Sequence, residues 1–292
     1  MDPRLLLNPE VGIAALVTLA PFFAAGFFGE AAGRRLQALP LPARLIVPAV
    51  LSVPYALVAA AGGVFRWAWL AVYALLPVAL AALLGWSKRF DDCWRELAAL
   101  AALGLLADLR LLESAWPPHL AIFSKLLLLD AGLYAFIVLR QLGGVGFDLR
   151  LRLRDAGIGL RELAVYAPLA LVLGFGSGFL HLHRAWPGIA SIAGAWIFTF
   201  FFIAIPEELF FRGWMQNLLE RRLGRMPALF VTALVFGLAH FNKRAAHFNW
   251  RYVLMAALAG IFYGRAWRAQ RRVGAAAITH ASVDAIWSLW LR

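Results

Sequence analysis

The sequence predicts an all-α, polytopic bundle with about eight to ten transmembrane segments. Three observations point there. The 292 residues are 63% hydrophobic and only 15% charged, with a mean hydropathy of +0.75. Several apolar runs approach or exceed the roughly 20 residues that a helix needs to cross a bilayer. Between the runs, Arg and Lys collect in short loops, as the positive-inside rule requires of a cytoplasmic face. The length leaves no room for a soluble domain beside that many spans. We therefore expect one integral membrane domain over 1–292, with N-terminal helices and an interfacial segment over 1–160 and a second helical core over 161–292.

Ten hydrophobic segments follow in order: 11–29, 41–61, 67–86, 97–112, 120–139, 163–182, 189–219, 228–241, 252–267 and 273–291. The first is preceded by MDPRLLLNPE. An acid and two prolines there suit an interfacial lead-in to a retained span better than a cleaved signal peptide. The fourth is short and ends in Asp108 and Arg110, which leaves a re-entrant or interfacial course open beside a crossing one. The eighth is short as well. Between the fifth and sixth, Leu149, Leu151 and Leu153 alternate with Arg150, Arg152 and Arg154. An exposed strand edge cannot lie in lipid, so residues 146–162 read as an interfacial segment on the basic face. Trp86, Trp116, Trp186, Trp250, Trp267 and Trp290 stand near segment ends, where interfacial anchors belong.

The net charge of +12 follows from the loops and implies no nucleic-acid partner. With the N-terminus outside, the cytoplasmic loops hold Arg34, Arg35 and Arg44; Lys88 and Arg89; Arg140, Arg150, Arg152, Arg154 and Arg161; Arg221, Arg222 and Arg225; and Arg265, Arg268, Arg271 and Arg272. The opposite loops hold Arg66, Arg110, Arg184, Lys243, Arg244 and Arg251. Cys93 is the single cysteine, which rules out an intramolecular disulfide. Its acidic neighbours Asp91, Asp92 and Glu96 give no setting for a reactive thiolate.

Polar groups inside apolar runs carry the functional reading. No charge interrupts 185–206, and then Glu207 and Glu208 follow together. His240 is the one ionisable residue of 230–241, and 273–291 holds only His280 and Asp284. Ionisable groups at membrane depth are costly, so a chain that keeps them uses them. Glu208 and Arg212 are four apart and meet on one helical face. A buried carboxylate needs such a partner. Glu207 points about 100° away on a 3.6-residue helix, which leaves it as the working acid or base. Phe236 and His240 share a face, and so do His280 and Asp284. Glu207 and His240 would orient and deprotonate a water, while His280 and Asp284 would hold a developing oxyanion and the peptide. The reaction class is peptide hydrolysis.

The three motifs, EExxxR at Glu207, Glu208 and Arg212, FxxxH at Phe236 and His240, and HxxxN/D at His280 and Asp284, stand in the order that resembles the CPBP family of intramembrane proteases, which includes the CAAX proteases and the bacteriocin-processing or Abi proteins. Ala259-Gly260 and Tyr263-Gly264 on one helix add to the likeness, which covers roughly 160–292. The resemblance implies an all-helical membrane enzyme, of glutamic type, that cleaves membrane-associated proteins or peptides. It implies that the first Glu and the first His activate water and that the last His and its partner stabilise the oxyanion. Asp284 stands where prenyl-protein-processing members have Asn. An ionised Asp would repel an oxyanion, so it must be protonated, paired with His280 or otherwise employed.

No cofactor is expected. If the enzyme were zinc-dependent, Glu207, His240 and His280 would supply three N/O ligands, but there is no HExxH. A proton-coupled transporter is the alternative class, because buried Glu, His and Asp also build proton relays, and a non-catalytic membrane scaffold is a third. The absence of an internal repeat speaks against an inverted-repeat transporter. Cleavage of a membrane-anchored peptide would mark the first class, substrate-driven proton movement the second. Lys125 and Asp130 read as structural, and His181, His183 and His247 as solvated. The expected location is the cytoplasmic membrane of a bacterium or archaeon.

Overall fold

The computed structural model describes residues 8–85, 93–183, 186–243 and 247–292. The lead-in 1–7, Trp86, Lys88, Arg89, Asp91, Asp92, Arg184 and Arg244 lie outside the described residues. Ten helices follow the ten apolar runs, and no strand occurs among the described residues. They are α1 (Pro9–Gln37), α2 (Leu41–Ala61), α3 (Trp67–Gly85), α4 (Cys93–Asp108), α5 (Ile122–Leu139), α6 (Leu153–Gly176), α7 (Ile189–Leu223), α8 (Arg225–Leu238), α9 (Trp250–Gln270) and α10 (Val273–Ile286). Six of these, α1, α2, α3, α5, α6 and α7, are long and apolar enough to cross a membrane, fewer than the eight to ten expected. Helices α4 and α8 have only 16 and 14 residues. Helices α9 and α10 carry the ionisable groups Arg251, Arg265, Arg268, His280 and Asp284, which lower their hydropathy. The chain is an integral, multi-pass membrane protein.

Contacts divide the chain into two units, 1–143 and 144–292. In the first, Asn8 caps α1 by accepting from the Glu10 N–H at 2.7 Å, ahead of Pro9. Tyr55, Tyr73 and Trp116 form an aromatic core with Phe123 stacked on Trp116. The Trp116 Nε1–H donates to the Tyr73 hydroxyl at 2.6 Å. Trp116 is therefore core and not an interfacial anchor. Lys125 pairs with Glu113 at 3.4 Å. Asp130 is buried, and its oxygens make no hydrogen bond among the described residues.

In the second unit, Arg150, Leu151, Arg152, Leu153 and Arg154 of the amphipathic stretch 146–162 are exposed, while Leu149 and Asp155 are buried. Residues 147–152 form no regular element, Arg152 is extended, and α6 begins at Leu153. The Arg272 guanidinium gathers this corner: it donates to Asp155 at 2.8 and 3.0 Å, to Asp148 at 3.1 Å and to the Arg150 carbonyl at 2.7 Å. Partial burial pushes the Asp148 carboxyl up, but the Arg150 N–H and the Arg272 guanidinium outweigh it and hold the group below its ordinary value. A depressed carboxylate lends stability above its unfolded-state pKa, and that stability is lost as the pH falls through the folded one. Asp155 also accepts from the Arg152 N–H at 3.0 Å, which closes the first turn of α6. Trp267 is buried, its Nε1–H donating to the Val145 carbonyl at 3.1 Å. It too is no interfacial anchor, whereas Trp186 and Trp250 are exposed.

Two glycines decide how closely these pieces approach. Gly237 lies where a Cβ would come within 2.5 Å of the Val253 carbonyl oxygen, so α8 and α9 meet backbone to backbone. Gly146 has φ +72°, its carbonyl accepts from the Val273 N–H at 2.9 Å, and a Cβ would fall 1.8 Å from the Arg271 carbonyl oxygen. Gly146→Ala is expected to destabilise the protein by about 1–3 kcal/mol from the backbone conformation alone, with the clash in addition. Thermal unfolding in detergent checks this, and an unchanged midpoint would show that the turn has slack.

Candidate active site

Helix α7 carries the paired carboxylates at the point where its winding changes. Residues 200–204 and 209–216 are π-helical, and the α-helical turn 205–208 lies between them. Such wide turns within helices gather at functional sites. Pro206 sits in that turn. The long helix thus holds Glu207 and Glu208 on a short α-helical turn between two π-helical stretches.

Glu208 is fully buried, as is Arg212. Arg212 Nη1–H donates to Glu208 Oε1 at 3.2 Å, and its Nε lies 3.2 Å from Oε2. The guanidinium also donates from Nη2 to the Gly260 carbonyl at 3.0 Å and lies over the Phe236 ring, 4.7 Å from its centre. Two helices besides its own therefore hold it. Charge neutralisation, hydrogen bonds and a cation–π contact together make this burial tolerable.

Glu208 has a further partner that the sequence reading did not assign to it. His280 Nδ1 is 2.8 Å from Glu208 Oε1, the contact of an N–H donating to a carboxylate. That leaves Nε2 to face the cavity. It is 3.5 Å from Asp284 Oδ2 and 3.9 Å from Glu207 Oε2. An N–H at Nε2 is the group that two such oxygens match. The imidazole is stacked on Tyr263, with ring centres 4.6 Å apart and 14° between planes. Thr279 fixes the register of α10 by donating to the Gly159 carbonyl of α6 at 3.0 Å, and Ser282 accepts from Trp196 of α7 at 3.0 Å.

His240 stands just past α8. Its Nδ1 is 2.8 Å from the Phe236 carbonyl, so that nitrogen donates and Nε2 of the neutral ring is an acceptor. Tyr252 stacks on it at 5.3 Å. Phe236 contacts both imidazoles, with ring centres 4.8 Å from His240 and 5.7 Å from His280. One aromatic ring thus spaces the two histidines.

Glu207, His240, His280 and Asp284 line one cavity of about 410 Å³. Glu207 and Asp284 are a third exposed, while His280 is nearly buried. Glu207 Oε2 is shielded from solvent and makes no hydrogen bond to protein. The walls are apolar, with Leu163, Ala167 and Ala170 from α6 and Ile203 from α7. Lys243 lies on the same wall. Glu208, Arg212 and Phe236 hold the cavity residues from behind or between. Tyr252 was not singled out in the sequence, Tyr263 entered only through the family likeness, and Lys243 only as a loop charge. The signal for the tyrosines was there, because Tyr252, Ala256, Ala259 and Tyr263 fall on one face of α9. His247 is exposed. His181 and His183 are exposed but tied: their N–H groups donate to the Leu291 and Trp290 carbonyls, and His183 Nε2 contacts the Arg292 carbonyl.

For a metal, each of the two histidines has only Nε2 left to offer. Nδ1 of each histidine is taken up by protein, and His280 Nε2 stands between two carboxylates. Among the described residues no three His, Cys, Asp or Glu side chains are grouped as ligands.

Residues 189–286 match the family model described as Rce1-like, type II CAAX prenyl endopeptidase Rce1-like. That stretch contains all three motifs and bears out the likeness to the CPBP and CAAX proteases there. It implies a peptide hydrolase. No curated protein matches the chain, and no solved structure does.

Proposed function

We propose that this protein is an intramembrane endopeptidase that hydrolyses a peptide bond of a membrane-associated protein or peptide with a water activated by Glu207. One observation carries the reading: His280 is locked at Nδ1 by the Glu208–Arg212 pair and presents Nε2 to the cavity, 3.9 Å from Glu207. That distance is too long for a hydrogen bond, and one oxygen atom placed between the two groups would contact both. The Glu207 carboxylate takes a proton from water as the oxygen attacks the scissile carbonyl carbon. His240, accepting at Nε2, orients that water. The carbonyl π-electrons move to oxygen, where the Nε2–H of His280 stabilises the charge. Collapse breaks the C–N bond, and the proton held by Glu207 goes to the leaving amine. Asp284, on the same nitrogen of His280, steadies the imidazole and faces the peptide. The pairing offers Asp284 the place that its charge would otherwise deny it. The apolar wall suits a hydrophobic peptide segment, whether the tail of a prenylated protein, a leader or a sorting tag.

The test is purified protein with membrane-anchored peptides of those three kinds, in liposomes. Cleavage of one of them, absent with His280→Gln, supports the proposal. Substrate-driven proton movement without cleavage would replace it with a transporter.

We also propose that the water is activated without a metal. Activity should then survive exhaustive chelation with no more than about a twofold loss, against the orders of magnitude that a zinc-generated nucleophile would cost. The purified enzyme should carry less than stoichiometric zinc. Activity lost on chelation and restored by one equivalent of zinc would overturn the assignment.

A further inference from the structure

A second cavity, of about 470 Å³, lies at the other end of the same helices. It takes its walls from the first half of α6, the start of α8 and the last turns of α9, and shares no residue with the active site. Four guanidiniums line it: Arg161, Arg225, Arg265 and Arg268. The only carboxylate in the lining, Glu162, is held between Arg161 at 2.7 Å and Arg265 at 2.9 Å. Arg268 shares Glu220, at 3.3 Å, with Arg271. Arg225 is exposed and makes no ion pair among the described residues. Positive charge is therefore in excess, and the buried carboxylates fix the guanidiniums in place. The start of α8 adds its positive end, for its cap, Gly224, offers no side chain. The rest of the lining is apolar. Leu229, which is buried, and Phe230, which is half-exposed, line it together with Ile261.

With the N-terminus outside and every apolar segment crossing, the loop charges place all four arginines on the cytoplasmic face. A groove between membrane helices with guanidiniums at that face and an apolar slope toward the hydrocarbon matches one kind of ligand. We propose that it binds an anionic phospholipid of the cytoplasmic leaflet, the phosphate at the arginines and an acyl chain along Phe230. This stands apart from the chemistry at Glu207.

Native mass spectrometry of the full chain in detergent tests it. The chain is titrated with phosphatidylglycerol and with phosphatidylcholine of the same acyl chains, and glycerol 3-phosphate serves as the free headgroup. One phosphatidylglycerol should be retained about tenfold more tightly than phosphatidylcholine. Arg225→Gln should weaken it about fivefold. Arg154→Gln, on the same basic face but outside the groove, should leave it unchanged. Phe230→Ser should weaken the lipid and spare glycerol 3-phosphate. Equal retention of the two lipids overturns the proposal, and so do equal effects of Arg154→Gln and Arg225→Gln, which would mean diffuse attraction. Displacement of the lipid by an equal concentration of glycerol 3-phosphate would leave a site for a free phosphate only. Should Arg225→Gln fail to fold, salt decides on the unaltered chain: retention of phosphatidylglycerol that does not fall with ionic strength also overturns it.

Discussion

Glu207→Gln is expected to lower kcat on a membrane-anchored peptide by about a hundred- to ten-thousand-fold, the range for removing a positioned general base. The unfolding midpoint in detergent should barely move. Glu207 Oε2 makes no hydrogen bond to protein, so an amide in its place breaks nothing in the fold. The loss should appear in kcat and not in KM, because the carboxylate acts on the attacking water. Retained cleavage would remove Glu207 from the chemistry. A fall in stability equal to that of Glu208→Gln would show that the two carboxylates do not have separate roles.

Arg212→Ala is expected to give the largest loss of stability in the chain. The substitution leaves Glu208 buried and without its counter-charge, which costs about 3–5 kcal/mol. It also removes the donor to the Gly260 carbonyl and the cation over Phe236. Activity should fall with it, because Glu208 is what orients His280. Arg212→Met combined with Glu208→Gln separates the two effects. The near-isosteric pair should recover much of the stability while cleavage stays low, since Gln holds His280 without the charge. A thermal midpoint for Arg212→Ala within a degree or two of the unaltered protein would contradict the account.

Much of this was legible in the sequence, for physical reasons. Membrane helices must satisfy their backbone internally, so every apolar run appears as a helix. Their number as spans was less legible. Helix α9 carries arginines and α10 the His280 and Asp284 of the site in place of apolar residues, and hydropathy alone does not count them. The i,i+4 spacing of Glu208 and Arg212 foretold their pairing, because neighbours on one helix are fixed by its pitch. The contact of Glu208 with His280 was not foretold. It joins residues on α7 and α10, and no periodicity carries that information. For the same reason the sequence put 146–160 with the N-terminal half. Only the folded chain shows Arg272 reaching back to Asp148, Asp155 and the Arg150 carbonyl. Trp116 and Trp267 stand near helix ends in the sequence, yet tertiary hydrogen bonds draw both into the core.

The seating of His280 on α10 has a consequence for biogenesis. A ribosome makes α7 first, and this helix enters the bilayer with Glu208 and Arg212 relying on each other alone. The Gly260 carbonyl arrives with α9 and completes the guanidinium. Only when α10 follows does Glu208 acquire its imidazole and Glu207 a nitrogen across the cavity. Under the proposed mechanism, a nascent chain halted before α10 possesses its base but has nothing to receive the oxyanion. On that mechanism, hydrolytic competence arrives with α10, after the walls that confine the water are in place.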